Sequence, residues 1–308
     1  MSGRPVELLR ALAVLGEPPK LEHARVAQAL GLTEAATNSE YADVFLFQLY
    51  PYASVYLGEE GMMGGDACDR VAGFWTALGR VPPSEPDHLS ALIALYADLV
   101  DDQVSGAGPE GALHQEAARA LLHEHLSPWV FAYLARLAEL GSGFYAAWGA
   151  LLEEALRDEQ AAAPGPTLLP VHLRSVNGIT DPRDGGGAGF VTSLLAPARA
   201  GMIITRADLA RLSSSLDLGL RAGERRYALE HLLSVDPEGV LRWLAQEAKR
   251  QAEGHGARVG LLGLTASFSQ ERALETAALC ESLAQDTAVL EGSAPAGAPE
   301  AVAEGTPS

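Results

Sequence analysis

Five consecutive residues, Ser84-Glu85-Pro86-Asp87-His88, put a hydroxyl, two carboxylates and an imidazole into a single turn. One reading is a helix start. Ser84 would sit at the N-cap and Asp87 three residues on, a variant of the capping box. Pro86 is tolerated in a first helical turn, where its missing N–H has no helical partner. Glu85 and Asp87 would complement the positive end of the helix dipole. The other reading is a binding site. His88 supplies no capping oxygen, and the neighbouring carboxylates are expected to raise its pKa. Local chemistry alone favours the helix start.

Other candidate groups carry less. His123 and His125 flank Glu124, an H-x-H spacing that points to different sides of a helix and lacks the i, i+4 geometry of a zinc pair. His125 is expected to pack or hydrogen-bond, and Trp129 to lie in a core. Cys68 and Cys280 match no metal or redox spacing. No G-x-S-x-G, H-E-x-x-H or G-x-x-x-x-G-K-[ST] occurs, so the chain shows no catalytic, metal or cofactor signature. Gly185 to Gly189, "GGGAG", follows no strand and reads as linker. "GMMGG", Gly61 to Gly65, reads as a loop between helices.

The chain that must position these groups has 308 residues, 48% of them hydrophobic, and a net charge of −18, which is enough for a sizeable core. So acidic a surface repels phosphate backbones and anionic membranes and suits a basic partner. No uninterrupted apolar run reaches about 18 residues, and the start has no signal-peptide pattern. The expectation is a soluble cytoplasmic protein.

Helical periodicity dominates, and no period-2 segment is sustained. Helices are expected from Val6 to Leu15, in "PKLEHARVAQALGL", and from Ser39 as a cap, with Phe45, Leu49 and Tyr52 on one face. Asp66 is expected to cap the next helix. There Val71, Phe74, Trp75 and Leu78 fall at i, i+3, i+4 and i+7. After the five-residue turn, Leu89, Leu92, Ile93, Tyr96 and Leu99 face inward. Further on, Thr205 with Asp208 and Asp236 with Pro237 mark two helix starts, and a last helix is expected over Ser269 to Ala284. The fold class is therefore all-α. A helical domain over 1–160 precedes a Pro/Gly-rich linker over 161–189, a helical extension over 190–287 and a disordered tail over 288–308. "HARVAQALGLTEAATNSEY" has the outline of a helix-turn-helix. Its second helix carries acids instead of Arg or Lys, so a hairpin within the body is the preferred reading.

Four stretches, taken in order, make the first domain resemble the TorD/DmsD/NarJ family of cytoplasmic chaperones for molybdoenzymes. They are "ADVFLFQLYPYASVYLG", "VAGFWTALG", "EPDHLSALIALYADL" and "LLHEHLSPWVFAYLARL". The third resembles the family's acidic–Pro–x–Asp–His motif, although Pro86 here abuts Asp87 with no spacer. The resemblance implies a helical bundle that binds a molybdopterin-dependent oxidoreductase subunit through its twin-arginine leader, its folded body or both. Binding would hold back export and assist cofactor insertion. A NarJ-type chaperone for a non-exported reductase subunit is the alternative.

The resemblance places Glu85, Pro86, Asp87 and His88 at the signal-peptide site, with Phe74, Trp75, His125 and Trp129 as further candidates. Carboxylates would hold the guanidinium forks and an apolar groove the rest of the leader. No nucleic acid and no membrane insertion are expected. The linker leaves room for two copies to exchange elements as a homodimer.

Overall fold

The computed structural model describes residues 4–32, 35–105, 108–140, 143–163, 165–220 and 223–292. Among them the architecture is all-α, with no strand and one isolated antiparallel bridge, Tyr52 to His88.

The body begins with α1 (Arg4–Leu15) and α2 (His23–Ala29). Helix α3 (Asn38–Tyr41) runs on as a π-helical stretch, Ala42–Gln48. Thr37, not Ser39, caps α3, in a reciprocal capping box with Glu40. The helical stretch ends at Gln48, so Phe45 and Leu49 are buried while Tyr52 lies beyond it in extended chain. The second helix of the helix-turn-helix outline is thus capped by Thr37 with Glu40 and runs on into the π-helical stretch of the body.

Next come α4 (Ala53–Leu57), α5 (Gly65–Ala77) and α6 (Leu89–Ser105). Helix α5 starts from Gly64 with no side-chain cap, and Asp66 lies in its first turn instead of at its start. Of its expected apolar face, Val71 is buried and Phe74, Trp75 and Leu78 are partly buried. Helix α6 is the centre of the body. Leu89, Leu92, Ile93, Tyr96 and Leu99 are all buried, as their spacing predicts, and α1 and α7 pack along it.

Helix α7 (Pro109–Ala120) continues through a π turn, Leu121–Leu126, into α8 (Ser127–Leu140), and α9 (Gly143–Ala162) closes the body. The π turn buries both His123 and His125, which the H-x-H spacing of an α-helix would have sent to different sides.

The C-terminal half comprises α10 (Pro182–Leu194), α11 (Pro197–Ala200), α12 (Arg206–Ser215), α13 (Arg225–Val235), α14 (Pro237–Gly256), α15 (Val259–Leu262) and α16 (Leu264–Gly292). Both expected starts are present. Thr205 and Asp208 form a capping box, and the Asp236 carboxylate accepts from Gly239 N at 2.8 Å with Pro237 at the first helical position. Helix α16 starts before Ser269 and continues to Gly292. The remaining residues of the expected tail, 293–308, lie outside the described ones.

The segment expected as linker is packed. His172, Leu173 and Val176 are buried against the body. Arg199 holds the Gly178 carbonyl and Arg272 the Val176 carbonyl. The glycine run lies inside α10, where Gly186, at φ 74°, kinks the helix. Gly201 closes α11 at φ 66°, and a Cβ there would meet Ala273 N at 2.2 Å. That bare backbone lets α11 seat directly on α16.

Two apolar clusters result. The first is the body's core, which also takes in Ala198, Ile203, Leu262 and Ala266 from the C-terminal half. The second, built on Leu194, Leu212, Leu229 and Leu244, belongs to the C-terminal half alone.

Candidate functional site

The five-residue turn is built by a short antiparallel exchange. Ala53 N donates to the Asp87 carbonyl at 3.0 Å, and Leu89 N to the Pro51 carbonyl at 2.8 Å. This pairing fixes Asp87 and His88 between the starts of α4 and α6. Helix α6 begins at Leu89, so Ser84 is too far upstream to cap it.

Asp87 is 3% exposed. Its Oδ2 accepts from Ser54 N at 3.0 Å and its Oδ1 from the Cys68 thiol at 3.4 Å. Ser54 is in the first turn of α4, whose own N-cap residue, Tyr52, provides no side-chain cap. Asp87 therefore caps a helix from across the turn, where a carboxylate also meets the positive end of the dipole. Burial, together with this carboxylate, pushes the Cys68 thiol up to about 11.

His88 is the residue that caps α6. Its Nδ1 accepts from Ser90 N at 3.1 Å, and its carbonyl accepts from Leu92 N. An accepting Nδ1 places the proton of the neutral ring on Nε2. The pKa of His88 is lowered, against expectation. Burial outweighs the attraction of Glu85, Asp87 and Glu17. The Tyr52 ring meets the imidazole edge-on, with centroids 5.1 Å apart. The Tyr52 hydroxyl donates to Glu85 at 3.0 Å, and burial with that carboxylate raises the hydroxyl's pKa.

Glu85 and His88 line one end of a groove of about 960 Å³ between α1, the start of the π stretch and α6. Its walls include Ala13, Val14, Leu46, Ala91 and Ala94, and Leu46 and Val14 are exposed there. Its charges are Glu17, Glu85 and Asp98 against Arg10 alone. Arg10 is itself held by Asp98 at 3.2 Å and Asp101 at 2.8 Å. The groove is thus apolar along its sides, carries Glu17, Glu85 and Asp98, and has His88 in its lining.

The other candidates do not face this groove. Trp75 donates its indole N–H to the Pro86 carbonyl at 3.3 Å, so these two residues brace the turn from behind. Phe74 packs on His125, with centroids 5.1 Å apart, and the His125 ring faces His172 of the packed segment, Nδ1 to Nε2 at 3.0 Å. Burial drives both pKa values down, to about 3 for His125, where His172 adds to the effect, and to about 4 for His172, where Arg70 adds. Trp129 is 2% exposed, stacks on Tyr56 at 5.0 Å and donates to the His125 carbonyl at 2.8 Å. Of the eight residues, Glu85 and His88 meet at the groove. Pro86, Asp87 and Trp75 form its support, while His125 packs between Phe74 and His172, and Trp129 is buried against Tyr56 and Tyr133.

The groove also uses residues that sequence reasoning did not single out. Tyr52, expected on a helical core face, lines it instead. Glu17 and Arg10 come from the first helix and the turn after it, about 70 positions from Glu85, with no local signal to tie them to it. Among the described residues no group of three His, Cys, Asp or Glu could hold a metal ion, and no helix is long and apolar enough to cross a membrane.

Residues 15–135 match the family model described as the nitrate reductase delta subunit. That span runs from the end of α1 through the turn at Asp87 and His88 into α8, and so contains most of the groove. No curated protein and no solved structure matches the chain.

Proposed function

We propose that this chain is an assembly chaperone for a molybdoenzyme subunit, and that its groove receives a basic and apolar segment of that client before cofactor insertion. The match of residues 15–135 to the nitrate reductase delta subunit supports the client class. The observation that carries the binding mode is that Glu85 and His88, whose Nδ1 is taken by Ser90 N, both line the same apolar groove. A guanidinium needs a carboxylate partner, which Glu85 supplies, with Glu17 farther along the same rim. A peptide carbonyl needs a donor, which the neutral imidazole of His88 supplies. The apolar walls take the client's aliphatic side chains. A twin-arginine leader has this chemistry. The chain's role is holding and release, with no bond made or broken.

The test is a calorimetric titration with a synthetic peptide carrying two consecutive arginines and an apolar stretch. Glu85→Gln removes the charge at an exposed position. His88→Asn keeps an acceptor for Ser90 N but withdraws the Nε2 donor. Glu85→Gln is expected to weaken binding by about tenfold or more, the worth of one charge-assisted hydrogen bond, with an unchanged unfolding midpoint, and His88→Asn by roughly three- to tenfold, the worth of a neutral one. Wild-type affinity in both variants would overturn the assignment.

The match to the nitrate reductase delta subunit favours a second reading, in which the client is a reductase subunit held by its folded body. Capture of a leaderless client at full strength by the Glu85→Gln variant would select it.

A further inference from the structure

The family match ends at residue 135, so the C-terminal half, α10 to α16, lies outside it. That half nonetheless grips the strip of chain that supplies one wall of the groove. Tyr41, Ala42, Leu46 and Tyr52 of the strip line the groove. Three residues between Leu46 and Tyr52 meet the C-terminal half instead. The Arg206 guanidinium lies over the Phe47 ring, 5.7 Å from its centroid. Gln48 Oε1 accepts from Ala207 N at 3.0 Å. The Arg225 guanidinium lies 5.8 Å from the centroid of the Tyr50 ring and donates to the Ile204 carbonyl at 2.8 Å. Ala207 N is one of the first amides of α12, which have no helical carbonyl to reach, so the body completes a helix of the C-terminal half.

The strip is tied along its length. Its carbonyls from Leu49 to Pro51 accept in turn from the Tyr133 hydroxyl at 3.3 Å, the Tyr56 hydroxyl at 2.9 Å and Leu89 N at 2.8 Å. So short and so tied a strip moves as one piece, and a displacement of Gln48 or Tyr50 is passed to Tyr52. Tyr52 donates to Glu85 at 3.0 Å and sets its ring edge-on to the His88 imidazole. Phe47 and Gln48 also close the π-helical stretch, a rare geometry that recurs at functional sites.

We infer that the C-terminal half is a positioning element for the groove: its hold on Phe47, Gln48 and Tyr50 sets where Leu46 and Tyr52 stand and, through Tyr52, how Glu85 and His88 are presented. The inference rests on the reading of the groove as a peptide site. Gln48 and Arg225 are positioning residues, since neither lines the groove. The effect is reciprocal. A peptide that binds the positioned wall more tightly holds α12 on the body by the same factor.

The test uses the full chain and the peptide with two consecutive arginines and an apolar stretch. Gln48→Met keeps the side chain's length and removes the acceptor for Ala207 N. Arg225→Met removes the cation from Tyr50. Each is expected to weaken the peptide by about threefold or more, the worth of one neutral contact passed to the groove. Gln48→Glu keeps the acceptor and should bind at least as tightly as wild type. Hydrogen exchange on the wild type gives the reciprocal readout. Saturating peptide should slow exchange of the amides at 207–209 by about threefold or more, and should fail to do so in Gln48→Met. A merely structural Gln48 would lower the unfolding midpoint and leave exchange in α12 blind to the peptide.

Wild-type affinity in both methionine variants, or unaltered exchange at 207–209 in the saturated wild type, would overturn the positioning role while leaving the groove intact. Failure of the peptide to bind the wild type would overturn the groove reading and the positioning role with it.

Discussion

Asp87 and His88 are neighbours in sequence, and burial gives them opposite tasks. The carboxylate turns inward to close α4, while the imidazole caps α6 through Nδ1 and lines the groove. Loss of the Asp87 carboxylate leaves the buried Ser54 N–H without a partner. Asp87→Ala is therefore expected to cost about 1–3 kcal/mol of stability, measured as a lower urea midpoint. A stability equal to wild type, accompanied by loss of peptide binding, would return Asp87 to the groove. The contrast with Glu85→Gln, which should affect binding and not stability, separates support from contact. Sequence reasoning grouped these residues correctly as one turn. It could not assign their directions, because the partners that settle them, Ser54 and Cys68, are 33 and 19 positions away.

The element that most changes the picture is the stretch after α9. Its Pro and Gly content suggested a linker, yet His172 pairs with His125 and Leu173 with Val176 enters the body's core. Low helical propensity speaks only to local conformation; it does not report what an irregular segment can bury. The histidine contact has a pH consequence whose sign is determined. Both imidazoles sit below their ordinary value in the folded chain, at about 3 and about 4, so the unfolded chain binds more protons as pH falls below about 6.5. Their contribution is fully present above that value and is lost as pH falls toward about 4. His88 and His255, also depressed by burial, act in the same direction. Urea midpoints are expected to hold steady above about pH 7.5 and to drop by about pH 5. A doubly substituted chain, His125→Gln with His172→Gln, should show a shallower drop. An identical slope in the two proteins would remove this pair from the explanation.

At the scale of the whole molecule, the two apolar clusters are joined by a buried ion network. Arg136 of α8, 3% exposed, donates to both oxygens of Asp208 on α12, at 2.5 and 2.6 Å, and lies 3.5 Å from Glu247 of α14. Arg250 bridges Glu247 back to Glu139 of α8. The Asp208 pKa is lowered, since the favourable contacts with Arg136, Thr205 and Arg211 together exceed the cost of burial. Arg136→Met would take one buried cation from Asp208 and Glu247, which keep Arg211 and Arg250 as partners, at about 3 kcal/mol. Calorimetry should then resolve two transitions, because the second cluster has its own core and loses its main polar tie to the first. A single transition with an unshifted midpoint would show that apolar contacts alone, such as those of Ile203 and Ala266, hold the halves together.

Much of this protein is legible from residue order alone. The 3.6-residue period of α6, the capping pair Thr205 and Asp208, and the Asp236-Pro237 start all act within one or two turns. Their physics is complete in a short window of sequence. The acidic balance and the crowded turn at 84–88 are equally local. Tertiary structure decided the rest. It turned His88 Nδ1 to the Ser90 N–H, sent Asp87 to a helix it does not precede, set His172 against His125, and opened a groove between α1 and α6. Each of these depends on desolvation and on partners brought together from distant positions. Burial reversed the expected sign of the His88 pKa because removing the ring from water outweighs three nearby carboxylates. That balance is set by packing density around the ring, which no spacing of residues along the chain encodes.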